Sequence, residues 1–590
     1  MQIRSDSPSS AAQSASTAVP VMKVERELSL RALCTGTLLG VLLTPSNVYA
    51  GLKIGWSFNM SIIALLAGFG FWQGLAARWG RGPGWTVHES NINQTVASAA
   101  ASIVSGGLVA PIPAHTLLTG QSLPPLPLMA WVFSVSFFGI WIAWYLRPSL
   151  VDDDALVFPE GVATLEALTN TYRNGREAAQ RLAALFIAAF LSGLVKWFDD
   201  FQRPIPRWAP TPLFERLGFN FDPSMLLLGF GIIIGMRVGM SLLAGALLAW
   251  GGLAPWLLAH GLVTLPPEAS GPQFAALVQW LLWPGVSFMV CATLASLALR
   301  LLRRQSGGSA SAPGLRLPAP GPALGLLLSV LLVVALQILL FGIEPWMAML
   351  SIPLALCLAV VAARVVGATG IAPIGAIGKV SQLSFGILAP GQVTVNLMSA
   401  NTAGGAAGQC TDLMNDFRVG RAIGATPMRQ LAAQCVGIAV GSVIGVLAYR
   451  ALIPDPQSML LSQEWPAPAV ATWKAVAQTL SAGLGSLSAD VHAAILIGAL
   501  CGTLLGTAET LLPARHVRWL PSPAALGLAF ILPASVSMMM GLGALLTWLV
   551  GLRWRALAQR YGIAVAAGLV AGESMAGVGA AVFRLLQRAL

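Results

Sequence analysis

Long apolar runs recur along this chain from residue 30 to its C-terminus, separated by short loops. A helix needs roughly 20 apolar residues to cross the hydrocarbon core of a bilayer. In lipid, only helices or closed barrels satisfy every backbone polar group. A barrel would read as alternating segments of about 10 residues, and no such alternation occurs. The pattern predicts an all-α polytopic membrane protein with roughly 14 to 16 membrane segments, counting re-entrant and broken helices.

The breaks in this pattern organise the chain. Residues 1–27 are rich in Ser, Ala, Gln and Thr, lack the apolar core of a signal peptide, and read as a disordered N-terminal tail. Residues 305–322 are rich in Gly, Ser and Pro and read as a flexible linker. They divide a first transmembrane half, 28–304, from a second, 323–590. The halves look related. Laid without gaps, 226–250 and 524–548 match at Gly229/Gly527, Met240/Met538, Gly245/Gly543 and Trp250/Trp548. With insertions, Phe158-Pro159-Glu160-Gly161 and Leu520-Pro521-Ser522-Pro523 form a second correspondence, each opening an apolar helix. Repeats with broken helices in matching places point to transporters. The matches leave open whether the repeat is parallel or inverted.

Composition agrees with a membrane chain: 56% of the 590 residues are hydrophobic and 10% are charged, against about 25% charged in a soluble chain. The net charge of +11 would suggest nucleic acid in a soluble domain. Here the basic residues sit mostly in short loops, such as Arg300/Arg303/Arg304, Arg418/Arg421/Arg429 and Arg553/Arg555/Arg560. The positive-inside bias accounts for them and marks candidate cytoplasmic loops. Arg584 and Arg588 lie one apparent span beyond Arg560, so the last helix has no assigned orientation. The expected location is the plasma membrane (the inner membrane of a bacterium), with multiple passes, lipid as surroundings and no nucleic-acid partner. A homo-oligomer is compatible with the sequence. The six Cys and five His residues are dispersed without CxxC or HExxH spacing. No metal site and no cofactor are expected.

Chemistry concentrates where polar side chains interrupt apolar runs. A charge at the bilayer centre costs about 2.5–3.5 kcal/mol on insertion scales, so such groups must face protein or a watery cavity. In the first region Pro45, Gly51 and Gly55 should break the helix and let Asn47, Tyr49 and Lys53 line a cavity; an interfacial loop is the alternative. The second runs from His88 through Asn91, Asn93, Gln94 and Thr95 into a helix of small residues, with Ser90 or Asn91 as a conceivable N-cap. The third places Glu160 at a Pro159–Gly161 bend, after the solvated Asp152–Asp154 loop. In the fourth, Gly370 to Lys379 is too broken for an ordinary span and reads as re-entrant. Gln382, Asn396, Asn401, Asp412 and Asp416 follow it. Gly378-Lys379 fails the phosphate-loop template, since Pro373 and Val380 stand at its obligatory positions. ATP is therefore not the expected energy source. Glu573 lies within the last apolar segment, as a functional carboxylate or one locked to a neighbouring helix.

These segments resemble the oligopeptide transporter family, including its yellow stripe-like branch of metal-chelate carriers. Asn47-Val-Tyr49-Ala-Gly51-Leu-Lys53-Ile-Gly55-Trp56 resembles the family's first-helix motif, and Glu89-Ser-Asn91-Ile-Asn93-Gln94-Thr95-Val-Ala-Ser-Ala its Glu-Asn-Asn…Gln-Thr…Ala-Ser-Ala run. Ser90 replaces one Asn, and Asn93 stands where an apolar residue is usual. Phe158-Pro-Glu160-Gly161, Gly424-Ala-Thr-Pro427, Leu520-Pro-Ser-Pro523 and Gly568-Leu-Val-Ala-Gly572-Glu573 follow in the family's order, so the resemblance spans residues 30–588. It implies proton-coupled uptake of peptides or metal–chelator complexes, not an enzyme activity.

The expected mechanism is alternating access. Asn47, Tyr49, Asn91, Asn93, Gln94, Thr95, Gln382, Asn396 and Asn401 would bind polar substrate groups. Lys53 or Lys379 would meet a substrate carboxylate. Glu160, Asp412 or Glu573 would carry the coupling proton. A passive channel is the alternative class, and an intramembrane transferase ranks last because no nucleophile–base motif is present.

Overall fold

The structure is a computed structural model that describes residues 27–55, 59–79, 84–151, 156–202, 205–263, 273–305, 320–369, 374–482 and 488–589. Most of the expected tail and linker, the Asp152–Asp154 loop and Gly370–Pro373 lie outside these residues. Glu27, at the end of the expected tail, is described and buried. Its carboxylate accepts hydrogen bonds from the backbone N–H and hydroxyl of Thr426.

The described residues are helical throughout, without strands. The first half comprises α1 (Leu30–Ile54), α2 (Ser61–Trp79), α3 (Val87–Ala101), α4 (Pro111–Thr119), α5 (Pro125–Leu150), α6 (Pro159–Arg173), α7 (Gly175–Trp197), α8 (Pro212–Arg216), α9 (Met225–Ala246), α10 (Ala254–Ala259) and α11 (Phe274–Gln305). The second comprises α12 (Pro320–Phe341), α13 (Pro345–Thr369), α14 (Ile374–Leu388), α15 (Val393–Ile423), α16 (Pro427–Leu452), α17 (Pro456–Met459), α18 (Pro468–Ala482), α19 (Ala489–Leu511), α20 (Ala514–Val517), α21 (Pro523–Leu528), α22 (Ala534–Arg553) and α23 (Arg555–Ala589). Thirteen segments are long and apolar enough to cross a membrane. The polar α15 and the half-length α14 and α18 bring the total to the expected range.

Two local expectations are corrected. α1 is not broken at Pro45 or Gly51; it runs through both and ends at Gly55, whose left-handed backbone (φ 72°) closes it. The N-cap of α3 is neither Ser90 nor Asn91 but Thr86, in a capping box with Glu89. The break falls two helices later: α3 tightens into a 3₁₀ turn over Ser102–Gly106, and Gly107 (φ 117°) turns the chain toward α4.

The repeat is written in the packing. α1 packs on α16 as α12 packs on α5; α3 on α16 as α15 on α5; α7 on α23 as α19 on α11; α9 on α23 as α21 on α11. The gapless offset from the sequence is reciprocal in space. A Cβ on Gly245 would strike the Leu526 carbonyl and the Ala529 side chain; a Cβ on Gly543 would strike the Leu228 carbonyl and Gly231. The offset that carries Gly245 to Gly543 carries Leu228 to Leu526 and Gly231 to Ala529. The second correspondence is corrected. Phe158–Gly161 opens α6, whose counterpart by chain order is α18, whereas Leu520–Pro523 opens α21, the counterpart of α9.

Equivalent helices meet antiparallel. Asn401, Gln409 and Asp416 of α15 bond Gly106, Ser102 and Gln94 of the α3 segment in reverse order. Arg450, near the end of α16, reaches Leu123, just before α5. A two-fold axis relating antiparallel helices runs across them, which for spanning helices means in the plane of the membrane. The repeat has the inverted sense. Small residues make the contacts close: Gly36 and Gly40 of α1 face Val96 and Ala100 of α3, while Gly437 and Gly441 of α16 face Ala99 and Ala100.

Candidate functional site

Three polar regions form inside this scaffold. The first is a cavity between α1, α7, α9 and α23, lined by Tyr49, Lys53, Lys196, Asp199, Asp222 and Glu573 among others. The C-terminal turns of α1 bring in Tyr49 and Lys53. Lys53 Nζ lies 5.1 Å from the Trp465 ring centroid and 5.8 Å from that of Tyr49, and these rings meet edge to face at 5.4 Å. Lys196 is paired with Asp200 at 2.8 Å, and Arg207 with Asp199 at 3.5 Å. Lys53 has no carboxylate within ion-pair distance among the described residues. Glu573 instead caps α9, accepting from Ser224 Oγ and Leu226 N, each at 2.8 Å. The N-terminal end of a helix favours this anion, so Glu573 is locked to a neighbouring helix by hydrogen bonds.

The second region lies between α3 and α15. Gln94 Nε2 donates to Asp416 Oδ1 at 3.0 Å, to Asn91 Oδ1 at 3.2 Å and to Thr95 Oγ1 at 3.1 Å. Glu160 enters at the start of α6, positioned by Phe158, which holds a left-handed backbone (φ 52°) and donates its N–H to Gly367. Asn415 and Asn59 donate to Glu160 Oε2 at 3.0 and 3.4 Å. Glu160 lies outside the thirteen spans. The protein around it pushes its carboxyl above the ordinary value, while the two amide hydrogen bonds pull the other way. Asp412 stands within electrostatic reach of Glu160 and Asp416.

The third region surrounds the start of α15. Gln382 Nε2 bonds Asn396 Oδ1 at 3.1 Å and the Trp473 carbonyl at 3.2 Å, and Asn396 returns a bond to the Gln382 carbonyl. Lys379 Nζ donates to the Gly375 carbonyl at 3.1 Å.

The predicted residues are thus distributed rather than gathered. Tyr49, Lys53 and Glu573 meet in the cavity; Asn91, Gln94, Thr95, Glu160 and Asp412 in the α3–α15 seam; Lys379, Gln382 and Asn396 in the third region. Asn47, Asn93 and Asn401 donate to the carbonyls of Ala101, Ala64 and Gly106, respectively. Two of these three carbonyls lie at the break in α3. Sequence reasoning missed Lys196, Asp199 and Asp222 of the cavity and Asn59 and Asn415 beside Glu160. The one available signal was a Lys and two Asp within a turn at the end of an apolar run, which an ordinary interfacial helix end also shows.

Inverted halves, broken helices and charged groups at depth define a multi-pass membrane transporter. Residues 27–305 and 317–584 match the sequence profile of the OPT oligopeptide transporter protein, and the chain belongs to this family of transporters. Its relatives include a candidate oligopeptide transporter of Saccharomyces cerevisiae, 24% identical over 93% of this chain and 95% of that protein. A probable metal-nicotianamine transporter of Oryza sativa subsp. japonica is 23% identical over 95% of this chain and 86% of its own length. A metal-nicotianamine transporter of Arabidopsis thaliana is 23% identical over 93% and 90%.

Proposed function

We propose that the protein is a proton-coupled importer in the plasma membrane, or the inner membrane of a bacterium. In this reading it moves small peptides or metal–chelator complexes by alternating access. The observation that carries this reading is Lys53. It is held by two aromatic rings in a cavity where the other cations are already paired. A substrate carboxylate would complete that pair, and Asp222 in the same lining suits a substrate amine. Peptides and amino-carboxylate chelators both present these two groups, in keeping with the names of the relatives. Antiparallel equivalent helices support alternating access, because exchanging the conformations of two inverted halves turns an outward-open form into an inward-open one.

Glu160, Asp412 and Glu573 are the proton carriers of this reading. A carboxylate capping α9 is released from its N–H donors once protonated, which couples the charge of Glu573 to the wall of the cavity. The test is uptake of nickel–nicotianamine and of an alanine tripeptide into proteoliposomes under an imposed pH gradient, with each carboxylate replaced by its amide. Loss of gradient-driven uptake in at least one variant is expected. Wild-type protein that moves neither probe, or three variants with unchanged coupling, would refute the reading.

A further inference from the structure

The α3–α15 interface carries two facing polar stripes. Asn91, Gln94, Ser98, Ser102 and Ser105 recur at helical spacing on the α3 segment, and Gln409, Asp412 and Asp416 recur on α15. Hydrogen bonds join them along their length. Gln409 Nε2 meets Ser102 Oγ at 3.3 Å and Ser105 Oγ at 3.4 Å, and Gln94 meets Asp416 at 3.0 Å. Between them, Ser98 Oγ donates to Asn59 Oδ1 at 3.4 Å, and the amide of Asn59 reaches Glu160. At about 1.5 Å per residue, the stripe from Asn91 to Ser105 covers roughly 20 Å, most of a hydrocarbon core.

Asp416 is the group at one end of this seam that the proposed coupling does not use. It is 4% exposed. The charged group within electrostatic reach of it is Asp412 on its own helix, which in turn stands within reach of Glu160 of α6; α3 presents Gln94 and Thr95, and α16 presents Gln430. No Lys, Arg or His is ion-paired with any of the three carboxylates among the described residues. Asp416 is buried, Asp412 partly buried and Glu160 exposed; an uncompensated buried charge is costly, so a proton is the economical counterion of Asp416.

A second observation is independent of the acids. Gln430 donates to the Asp416 carbonyl at 2.8 Å, yet its Oε1, Gln94 Oε1, Asn91 Nδ2 and both amide atoms of Gln434 have no protein partner among the described residues. All four side chains are at most 1% exposed. Gln430 and Gln434 share the α16 stripe of Gly437 and Gly441, which lies on α3. Buried polar atoms of this kind hold ordered water, which needs two to four polar partners.

We propose that the α3–α15 seam is a proton path, with Asp416 as its entry carboxylate on the face of the membrane that carries Arg429. A hydronium gives its proton to an Asp416 oxygen and leaves as water. The proton passes through seam water to Asp412. Departure toward Ser102 and Gln409 returns each carboxylate to its anionic form. The amides do not carry the proton; they orient the water that does.

This inference rests on the proposed coupling and is tested so that the two can fail separately. Full-length wild type, Asp416→Asn and Gln94→Leu are reconstituted. Nickel–nicotianamine exchange at equal pH is compared with accumulation under a pH gradient. Asp416→Asn should keep exchange, and both variants should lose gradient-driven accumulation. Accumulation that survives in Asp416→Asn, or exchange that disappears with it, overturns the proposal. pH-difference infrared spectroscopy of the same samples needs no substrate. A protonated-carboxyl band present in wild type should vanish in Asp416→Asn and shift in Gln94→Leu. A band unchanged in Asp416→Asn overturns the proposal even if the wild type transports neither probe.

Discussion

Replacing Lys53 with Met should move stability and substrate affinity in opposite directions. Met keeps most of the aliphatic stem and removes the ammonium. The protein loses two cation–π contacts, at 5.1 and 5.8 Å, worth about 0.5–2 kcal/mol each. It also escapes the desolvation of an ammonium that no carboxylate compensates, an effective cost of several kcal/mol. These terms leave the variant as stable as wild type or more so. Substrate binding should suffer, because truncating one partner of a buried, hydrogen-bonded charge pair costs about 2–5 kcal/mol. At 1.4 kcal/mol per decade this is a loss of about 30-fold to several thousand-fold in affinity. The assay is paired: thermal unfolding of the purified protein, and calorimetric titration with nickel–nicotianamine and an alanine tripeptide. Lys379→Met is the control, since Lys379 already donates to Gly375. A loss under about threefold for Lys53→Met, or one matched by Lys379→Met, would sink the assignment of Lys53 as the carboxylate partner.

Other consequences are sharp enough to test. Asn47→Ala and Asn401→Ala each strip the donor from a buried carbonyl, and should cost about 1–3 kcal/mol of stability. Thermal unfolding should fall while affinity in folded protein holds; the reverse pattern would make them substrate ligands. Gly543→Ala drives a methyl into the Leu228 carbonyl, and Gly245→Ala into that of Leu526. Each should lower stability by about 1–3 kcal/mol, and a well-folded, heat-stable Gly543→Ala protein would refute the reciprocal contact. The raised pKa of Glu160 means that the native state holds its proton at a higher pH than the unfolded chain does. Stability contributed by this group is full at acid pH and declines as pH rises through the native pKa. That part of the pH slope in thermal unfolding should vanish in Glu160→Gln; an unchanged slope would show that Glu160 is not the group responsible.

Hydropathy made the membrane class legible because lipid imposes it on every residue of a span. The repeat was legible at Gly245/Gly543, since a helix touching its own counterpart needs the same small residue at both places, and at Gly229/Gly527, which meet the equivalent helices α23 and α11. Helix breaks were harder to read. Pro45 and Gly51 mark no break, because α1 is clamped by α3, α16 and α23 on its sides. The real break follows a run of Ala and Ser that is favourable to helix, and is set by Gly107. Polarity exposed the seam but could not tell ligand from staple: Asn47 and Asn91 look alike in sequence, and only the neighbouring carbonyl of Ala101 distinguishes them. The cavity was least legible, because Lys196 and Asp199 at the end of α7 and Asp222 just before α9 sit at helix ends, where charges are ordinary.

The two halves share a scaffold without sharing its chemistry. Ser224 and Ser522 are equivalent under the repeat, each just before a half-helix. Ser224 donates to Glu573, whereas the Ser522 N–H donates to Ser241 Oγ. Gly229 meets the Ala566 carbonyl and Gly527 the Gly285 carbonyl; carried along both helices, that register sets Glu573 opposite Ala292, a buried methyl. The charged cavity, built by α1, α7 and α9 of the first half and α23 of the second, thus lacks the equivalent of Glu573 across the repeat, while the seam lies where the axis passes between α3 and α15. Under the proposed mechanism, a motion that exchanges the two halves would re-form the scaffold but not the cavity's charges. Only one of the two end states can then hold a substrate carboxylate between Lys53 and the α9 N-terminus in the present geometry. In this reading the inverted repeat would supply the reversibility of the conformational change, and the unmatched Glu573 would make its two directions chemically different.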